Sequence, residues 1–145
     1  MKKLLGRSDI VDFPKLDLSE VEIKIDTGAY TSSIHCHNIE VEENVLKCQF
    51  LDAESDKHPP IILHFNEFTT KVVKSSNGIS EERFAIETEI LIFNQTYPIE
   101  LTLTERGTMR FPVLLGRKFI TKKFIIDTAK KNLSFKNIDI KLKKV

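Results

Sequence analysis

Polar and apolar residues alternate along most of the chain, and the alternation has a period of two. Tyr97, Ile99, Leu101 and Leu103 are interleaved with Pro98, Glu100, Thr102 and Thr104, which predicts a strand with one buried face. Just before it, Phe84, Ile86, Ile90 and Ile92 share one parity while Glu87 and Glu89 take the other. Asn94-Gln95 lies between these two segments and reads as a hairpin loop. Shorter strands are expected at Val21–Asp26, Asn38–Glu42, Val45–Leu51 and Ile61–Phe65. The final stretch, KNIDIKLKKV, alternates Ile138, Ile140 and Leu142 with polar positions, as a terminal edge strand would, with lysines that discourage further pairing. The polar run Asp52–His58 followed by Pro59-Pro60 marks a surface loop. Helical periodicity is missing over any long stretch, and the best helical candidate is a turn or two at Arg117–Thr121, after Gly116. No internal repeat, low-complexity segment or linker stands out. The pattern predicts an all-β protein, a barrel or a sandwich, with residues 1-145 in one domain.

One hairpin differs in character. In KVVKSSNGISEERF the dipeptide Asn77-Gly78 is a strong turn signal, because both residues tolerate the positive φ of a type I′ turn. Its arms are polar, with Lys71, Lys74, Ser75, Ser76, Ser80, Glu81 and Glu82, so the hairpin is expected to project from the body of the fold. An exposed hairpin and a mobile lid are both compatible with that pattern.

Bulk composition narrows the function classes. The 145 residues suffice for one hydrophobic core. Lys plus Arg number 22 against 21 Asp plus Glu, a formal net charge of +1, which makes no electrostatic case for nucleic acid or an anionic membrane. No apolar run approaches the roughly 18 residues of a membrane span. The N-terminus has two lysines but lacks the apolar stretch and cleavage site of a secretory signal, so a cytoplasmic location is expected. Cys36 and Cys48 then read as reduced, buried thiols.

The stretch VEIKIDTGAYTSSIH (Val21–His35) concentrates the candidate chemistry. Ile23 and Ile25 face one side of a strand, and Asp26 follows at its end. Gly28 allows a backbone conformation that a Cβ would block and lets amides approach the carboxylate. Thr27 supplies a hydroxyl that can bond across an interface or back to the chain. An Asx-type turn is one reading of Asp26-Thr27-Gly28; a rigidly held catalytic carboxylate is the other.

The context favours the second. Ala29 and Thr31-Ser32-Ser33-Ile34 follow the loop, and far downstream FPVLLGRKFI (Phe111–Ile120) runs an apolar strand into Gly116-Arg117 and a short helix. This pair of motifs resembles the retropepsin-like aspartic peptidases. It is closer still to a bacterial retropepsin-like family often labelled an ATP-dependent zinc protease, on Lys24-Ile25-Asp26-Thr27-Gly28-Ala29, Thr31-Ser32, His35 and MRFPVLLGR (Met109–Arg117). The resemblance extends from Leu5-Gly6 to Asp127. It implies a closed acid-protease barrel with a flap hairpin and one short helix in the C-terminal third. It also implies a catalytic loop of Asp26, Thr27 and Gly28, with Ala29, Gly116 and Arg117 as its scaffold. Tyr30 departs from the pattern: many retropepsins carry an acidic residue there that pairs with the arginine, and the bacterial family usually has Arg. Arg117 must therefore find another partner.

Aspartic peptidases use two carboxylates that share a proton and hold one water. FIIDTAKK offers a second Asp-Thr at Asp127-Thr128-Ala129, but Ala in place of Gly is expected to obstruct the loop, and too little chain follows to build a second lobe. A symmetric homodimer, with Asp26 meeting its own copy, is the simpler solution. Asn77-Gly78 would then tip a flap over the cleft. Members of the family occur beside ATP-grasp glutamate ligases, which implies a peptide or protein-tail substrate rich in glutamate and a functional link to such a ligase. A catalytically inactive peptide-binding module is the alternative.

A zinc-dependent hydrolase is a further reading. His35 and His37 lie two apart on a strand and share a face, with Cys36 opposite; Cys48, His58 and His64 are more distant candidates. None has a tight ligand spacing, so no metal and no other cofactor is expected. ATP binding is not expected either, because no glycine-rich phosphate loop is present.

Overall fold

A computed structural model of the chain describes residues 2–50, 61–74, 77–105 and 110–136. Within these the fold is mostly β, with two short helices. Its strands are β1 (Lys3–Leu5), β2 (Ser8–Phe13), β3 (Leu18–Ile25), β4 (Ser32–Glu42), β5 (Val45–Phe50), β6 (Ile61–Phe65), β7 (Thr69–Lys74), β8 (Ser80–Ile92), β9 (Gln95–Thr104), β10 (Val113–Leu115) and β11 (Phe124–Ile126). Among the described residues helical structure is confined to a 3-10 turn at Pro14–Leu16, the single turn α1 (Arg117–Ile120) and a turn at 133–136. The two turns beside α1 escape the sequence pattern because each is too short to have a period. No helix among the described residues is long and apolar enough to cross a membrane.

Strands β3, β2, β8, β9 and β4 are neighbours in that order. Strand β10 closes the circuit, parallel to β3 on one side and antiparallel to β4 on the other. The result is a ring of strands rather than an isolated barrel: β5 and β6 run on from β4, and β7 is added to β8. Outside the ring, β1 and β11 form a short parallel pair.

The apolar parity of each strand fills the ring. Ile23, Ile90, Ile92, Leu101, Val113 and Leu115 are completely buried. On β3 the period skips, from Leu18 to Val21, where the register against β2 shifts. Glu20 sits there with φ 53°, and its amide donates to Asp12 Oδ1 at 2.8 Å. One extra residue on β3 is thus absorbed in a bulge, which restores the alternation and keeps Val21, Ile23 and Ile25 inward.

Two tight hairpins use left-handed pairs. Glu43 and Asn44 have φ of 51° and 63° between the paired residues Glu42 and Val45, and Phe93 and Asn94 have 52° and 62° between Ile92 and Gln95. Both are type I′ geometry. The second turn therefore lies one residue earlier than the expected Asn94-Gln95, and Gln95 already belongs to β9. Phe93 is an unusual residue for that conformation. It is held by its amide, which donates to Ser134 Oγ at 2.7 Å, and by its ring, 6.0 Å from that of Phe124.

The Asn77-Gly78 expectation needs correction. The β7–β8 ladder ends with Lys74 opposite Ser80, and Asn77 lacks the positive φ that a type I′ turn at Asn77-Gly78 requires. Gly78 does take positive φ, 83°. The expected surface loop at Asp52–His58 with Pro59-Pro60, and the terminal strand through Ile138, Ile140 and Leu142, lie outside the described residues.

A short repeat, missed in the sequence, ties the two ends of the chain together. Leu4-Leu5-Gly6-Arg7 recurs as Leu114-Leu115-Gly116-Arg117, and Ile25-Asp26-Thr27 recurs as Ile126-Asp127-Thr128. Each Leu-Leu strand lies parallel to one Ile-Asp-Thr strand. Leu115 is opposite Ile25, and Leu5 is opposite Ile126. Asp26 N donates to Leu115 O and Asp127 N to Leu5 O, both at 2.9 Å. The repeat is only a few residues long and interrupted, so it carries no periodic signal.

Candidate active site

Strand β3 delivers Asp26. The Asp26 amide extends the pairing with β10 by one residue, and the chain then turns. Gly28 N donates to Asp26 Oδ1 at 3.0 Å, and Ala29 N donates to Asp26 O at 3.2 Å, which closes an Asx turn. Asp26 is half-buried. Among the described residues its other carboxylate oxygen accepts no hydrogen bond, and Thr27, which is exposed, has no partner for its hydroxyl. Gly28 is not in the left-handed region, contrary to the expectation from its residue type. A Cβ there would stand 3.3 Å from Asp26 Oδ1, so the glycine keeps space beside the carboxylate.

The Gly116-Arg117 segment packs directly on this turn. A Cβ on Gly116 would lie 2.5 Å from Thr31 O and 2.6 Å from Tyr30 O, a separation that only glycine permits. Gly116 N donates to Ser32 Oγ at 3.0 Å. The first amides of α1 go to the loop as well: Arg117 N donates to Ala29 O and Lys118 N to Tyr30 O, both at 2.9 Å. Amides at a helix start have no partner within the helix, so the loop carbonyls supply what the helix lacks. Arg117 Nη1 donates to Thr27 O at 3.0 Å, and the guanidinium lies 5.8 Å from the Tyr30 ring centroid. The arginine thus meets a carbonyl and a π-face, and among the described residues it has no acidic partner. Ser32 and the Leu115 carbonyl belong to this bracing, and neither was singled out for that part from the sequence.

The second Asp-Thr loop forms as well. Ala129 N donates to Asp127 Oδ1 at 2.9 Å, and Lys130 N to Asp127 O at 3.1 Å. Alanine therefore does not obstruct the turn, against the expectation. Arg7 Nη1 reaches Thr128 O at 3.4 Å, matching Arg117 and Thr27, and Gly6 is pressed against Lys130 O as Gly116 is against Thr31 O. Each carboxylate is held by its own loop.

The β7–β8 hairpin exposes Val72 and Ile79, at 73% and 65%. Its first strand is tied to the site's far side through Glu100 on β9, which pairs with Lys71 at 2.7 Å and with Lys118 of α1 at 3.3 Å. Burial pushes the Glu100 carboxyl up, but the two ammonium groups outweigh it and hold it below the usual range.

His35 and His37 do share a face of β4, their rings 5.4 Å apart edge to face, while Cys36 turns into the core. His37 Nδ1 is 3.4 Å from Glu105 Oε1. Burial, then the neighbouring His37, pushes the His35 pKa down. His35 Nδ1 is buried without a partner among the described residues. No group of three or more His, Cys, Asp or Glu among the described residues is placed to hold a metal ion. The zinc label therefore finds no fitting donor set there, and His58 lies outside the described residues. Cys36 and Cys48 are free and buried.

Residues 4–137 match the family model of the RimB-like proteins, described as retropepsin-like aspartic endopeptidase RimB. The chain belongs to the RimB-like family. It is 33% identical over 132 residues to a protein of Desulfotalea psychrophila named "Probable alpha-L-glutamate ligase", covering 88% of this chain and 28% of that protein. A Shewanella pealeana protein of the same name is 30% identical over 132 residues, covering 88% and 29%. The chain thus spans under a third of the length of these relatives. The crystal structure of a Legionella pneumophila protein of unknown function superposes with a TM-score of 0.69 at 22% identity, covering 92% of this chain and 99% of that one. Within the RimB-like fold, both motifs of the resemblance lie in a single braced unit around Asp26.

Proposed function

We propose that residues 1–145 form one retropepsin-like domain that acts, as a homodimer, as an aspartic-type peptidase. The observation that carries this reading is the Asp26 loop: one carboxylate oxygen is held by Gly28, the other is free of protein donors among the described residues, and the loop is clamped by Gly116 and Arg117. A rigid, half-buried carboxylate at a strand end is what water activation needs. The partner's Asp26 supplies the second. In the shared-proton state the ionised carboxylate takes a proton from water, and the oxygen adds to the scissile carbonyl carbon. The protonated carboxyl gives its proton to the carbonyl oxygen. Collapse of the tetrahedral adduct breaks the C–N bond and returns a proton to the leaving amine. In this reading Thr27 bonds across the interface, and the β7–β8 hairpin, through Asn77 and Gly78, closes over the substrate.

The relatives' names, both "Probable alpha-L-glutamate ligase", fit a link to glutamate chemistry; the substrate in this reading is a glutamate-rich peptide or protein tail, processed in the cytoplasm beside an ATP-grasp glutamate ligase. The test is hydrolysis of an oligo-glutamate peptide by the purified protein, followed by mass spectrometry. Asp26→Asn should lose at least about 1000-fold in rate with an unchanged thermal melt, and the active species should have twice the 16.7 kDa chain mass. Full activity of Asp26→Asn, or of a monomer, would sink the reading. Activity that survives in Asp26→Asn and disappears on chelation would favour a zinc hydrolase. Binding without hydrolysis would favour an inactive peptide-binding module.

A further inference from the structure

A pocket of about 630 Å³ opens beside the catalytic loop, within the range of ligand-binding clefts. Its floor is the outer face of β2 and β3, where Ser8 pairs with Lys24 and Ile10 with Glu22. One wall is the Asp127 loop and the residues after it, fixed by Asn132 N donating to Ser8 O at 2.9 Å. Arg110 and Phe111, just before β10, form another.

The lining is strongly cationic. Arg7, Lys24, Arg110 and Lys131 all contribute, against two acidic residues, Glu22 and Asp9. Asp9 is not available to them: the residue is 1% exposed and its carboxylate accepts hydrogen bonds from the amides of Ile10, Ser134 and Phe135. Among the described residues Lys24, Arg110 and Lys131 have no ion-pair partner, and Arg7 makes one long contact with Thr128 O. A chain whose formal net charge is +1 therefore gathers four cations around one free carboxylate in a single concavity. Unpaired cations are ordinarily spread over a surface, where repulsion is least; their convergence calls for an anionic ligand.

Position identifies the ligand's class. Lys24 lies on β3 two residues before Asp26, so the pocket begins about 7 Å of chain away from the catalytic carboxylate. An extended peptide crossing Asp26 repeats its side chains on one face at the same spacing. Two guanidinium groups suit carboxylates, which they grip in a fork. We propose that Arg7, Lys24, Arg110 and Lys131 form a specificity pocket that takes the carboxylate side chain of an acidic peptide next to the bond cut at Asp26. This rests on the peptidase reading for its setting, and it assigns the acidic preference to particular residues.

The test separates binding from hydrolysis by using Asp26→Asn protein and fluorescein-labelled hexaglutamate, with fluorescence anisotropy as the readout. Hexaglutamate should bind and hexaglutamine should not. Lys24→Gln and Lys131→Gln should each weaken binding about fivefold, and more salt should weaken it further. Lys47→Gln, which makes the same charge change on β5, should leave binding as it is. Equal binding of the two peptides, no effect of the Lys24 and Lys131 changes, or an equal effect of the Lys47 change would each overturn the pocket. Tight binding by Asp26→Asn alongside an inert wild type would leave the pocket standing while the peptidase reading fell.

Discussion

Arg117 reaches back across the Asp26 turn to the carbonyl of Thr27, 3.0 Å from its Nη1. The bond fixes the peptide immediately after Asp26, and the guanidinium rests near the Tyr30 ring. Arg117→Ala removes both contacts and should cost about 1 kcal/mol in chemical denaturation, because the side chain is exposed. Arg117→Lys keeps a charge over the ring but loses the planar fork, so it should fall between wild type and Ala in stability. Peptidase rate should drop in the same order. Equal rates in all three would mean that the contact does not position the loop.

The two glycines of the site should respond differently to alanine. At Gly116 a Cβ would lie 2.5 Å from a backbone oxygen of Thr31, and neither backbone can retreat without breaking the loop's hydrogen bonds. Gly116→Ala should cost about 3 kcal/mol or leave the protein unfolded. At Gly28 the Cβ meets only Asp26 Oδ1, at 3.3 Å, and Ala129 fills the matching position in the twin loop. Gly28→Ala should therefore melt near the wild-type temperature yet lose rate, since the crowded atom is the carboxylate. A large fall in melting temperature for Gly28→Ala would contradict this division.

The twin loops allow a further separation. Asp127 and Asp26 sit in the same turn with the same backbone donors, so loop geometry does not distinguish them. Asp127→Asn keeps an oxygen in reach of the Ala129 amide and should leave the peptide-hydrolysis rate within about twofold of wild type. Loss of rate in Asp127→Asn comparable with that in Asp26→Asn would place the second carboxylate within the chain and remove the need for a dimer.

These motifs also show what the sequence could carry. Period-two alternation located β8, β9 and the core residues Ile90, Ile99, Leu101 and Leu103, because a half-buried strand leaves that mark on every second residue. Asp26-Thr27-Gly28 and Gly116-Arg117 were visible as motifs. Their contact was not, since Ser32 Oγ and the carbonyls of Ala29 and Tyr30 are generic groups whose part depends on register. Turn positions slipped by a residue at Phe93, where tertiary contacts hold a phenylalanine in a conformation that its type disfavours. Arg7 lies between β1 and β2 and Lys24 on β3, and no sequence pattern links the two. Only folding, which brings residues 7, 24, 110 and 131 to one concavity, reveals their excess.

Acid should loosen the link between β7 and α1. The Glu100 carboxyl is held below the ordinary glutamate value of 4.5 because Lys71 and Lys118 outweigh its burial. Its contribution is therefore present above that value and is lost as pH falls through the lower folded value. Lys71 is pushed up, chiefly by its hydrogen bond to Glu100, so its part persists at neutral pH and fades only as pH rises through its folded value. Between about pH 6 and about pH 3, the melting temperature of wild type should fall further than that of Glu100→Gln. Parallel curves for the two proteins would remove Glu100 from the acid response.

Asp9 should show the opposite sign. Its carboxylate is buried and anchors the turn at 133–136, with Oδ1 accepting from Ile10 and Phe135 at 2.8 and 3.1 Å and Oδ2 from Ser134 at 2.9 Å. Burial pushes its pKa up from 3.8 despite those three amides. Asp9→Asn keeps the shape but turns an NH2 donor toward an amide donor, and should cost about 1–3 kcal/mol. An acid whose folded pKa is raised binds its proton more readily in the native state, so its contribution to stability grows as pH falls through the folded value toward 3.8. The deficit of Asp9→Asn relative to wild type should accordingly widen from about pH 7 to about pH 4, as read from thermal melts. A deficit that shrinks on acidification would mean that the three amides outweigh burial and that Asp9 stays charged in the core.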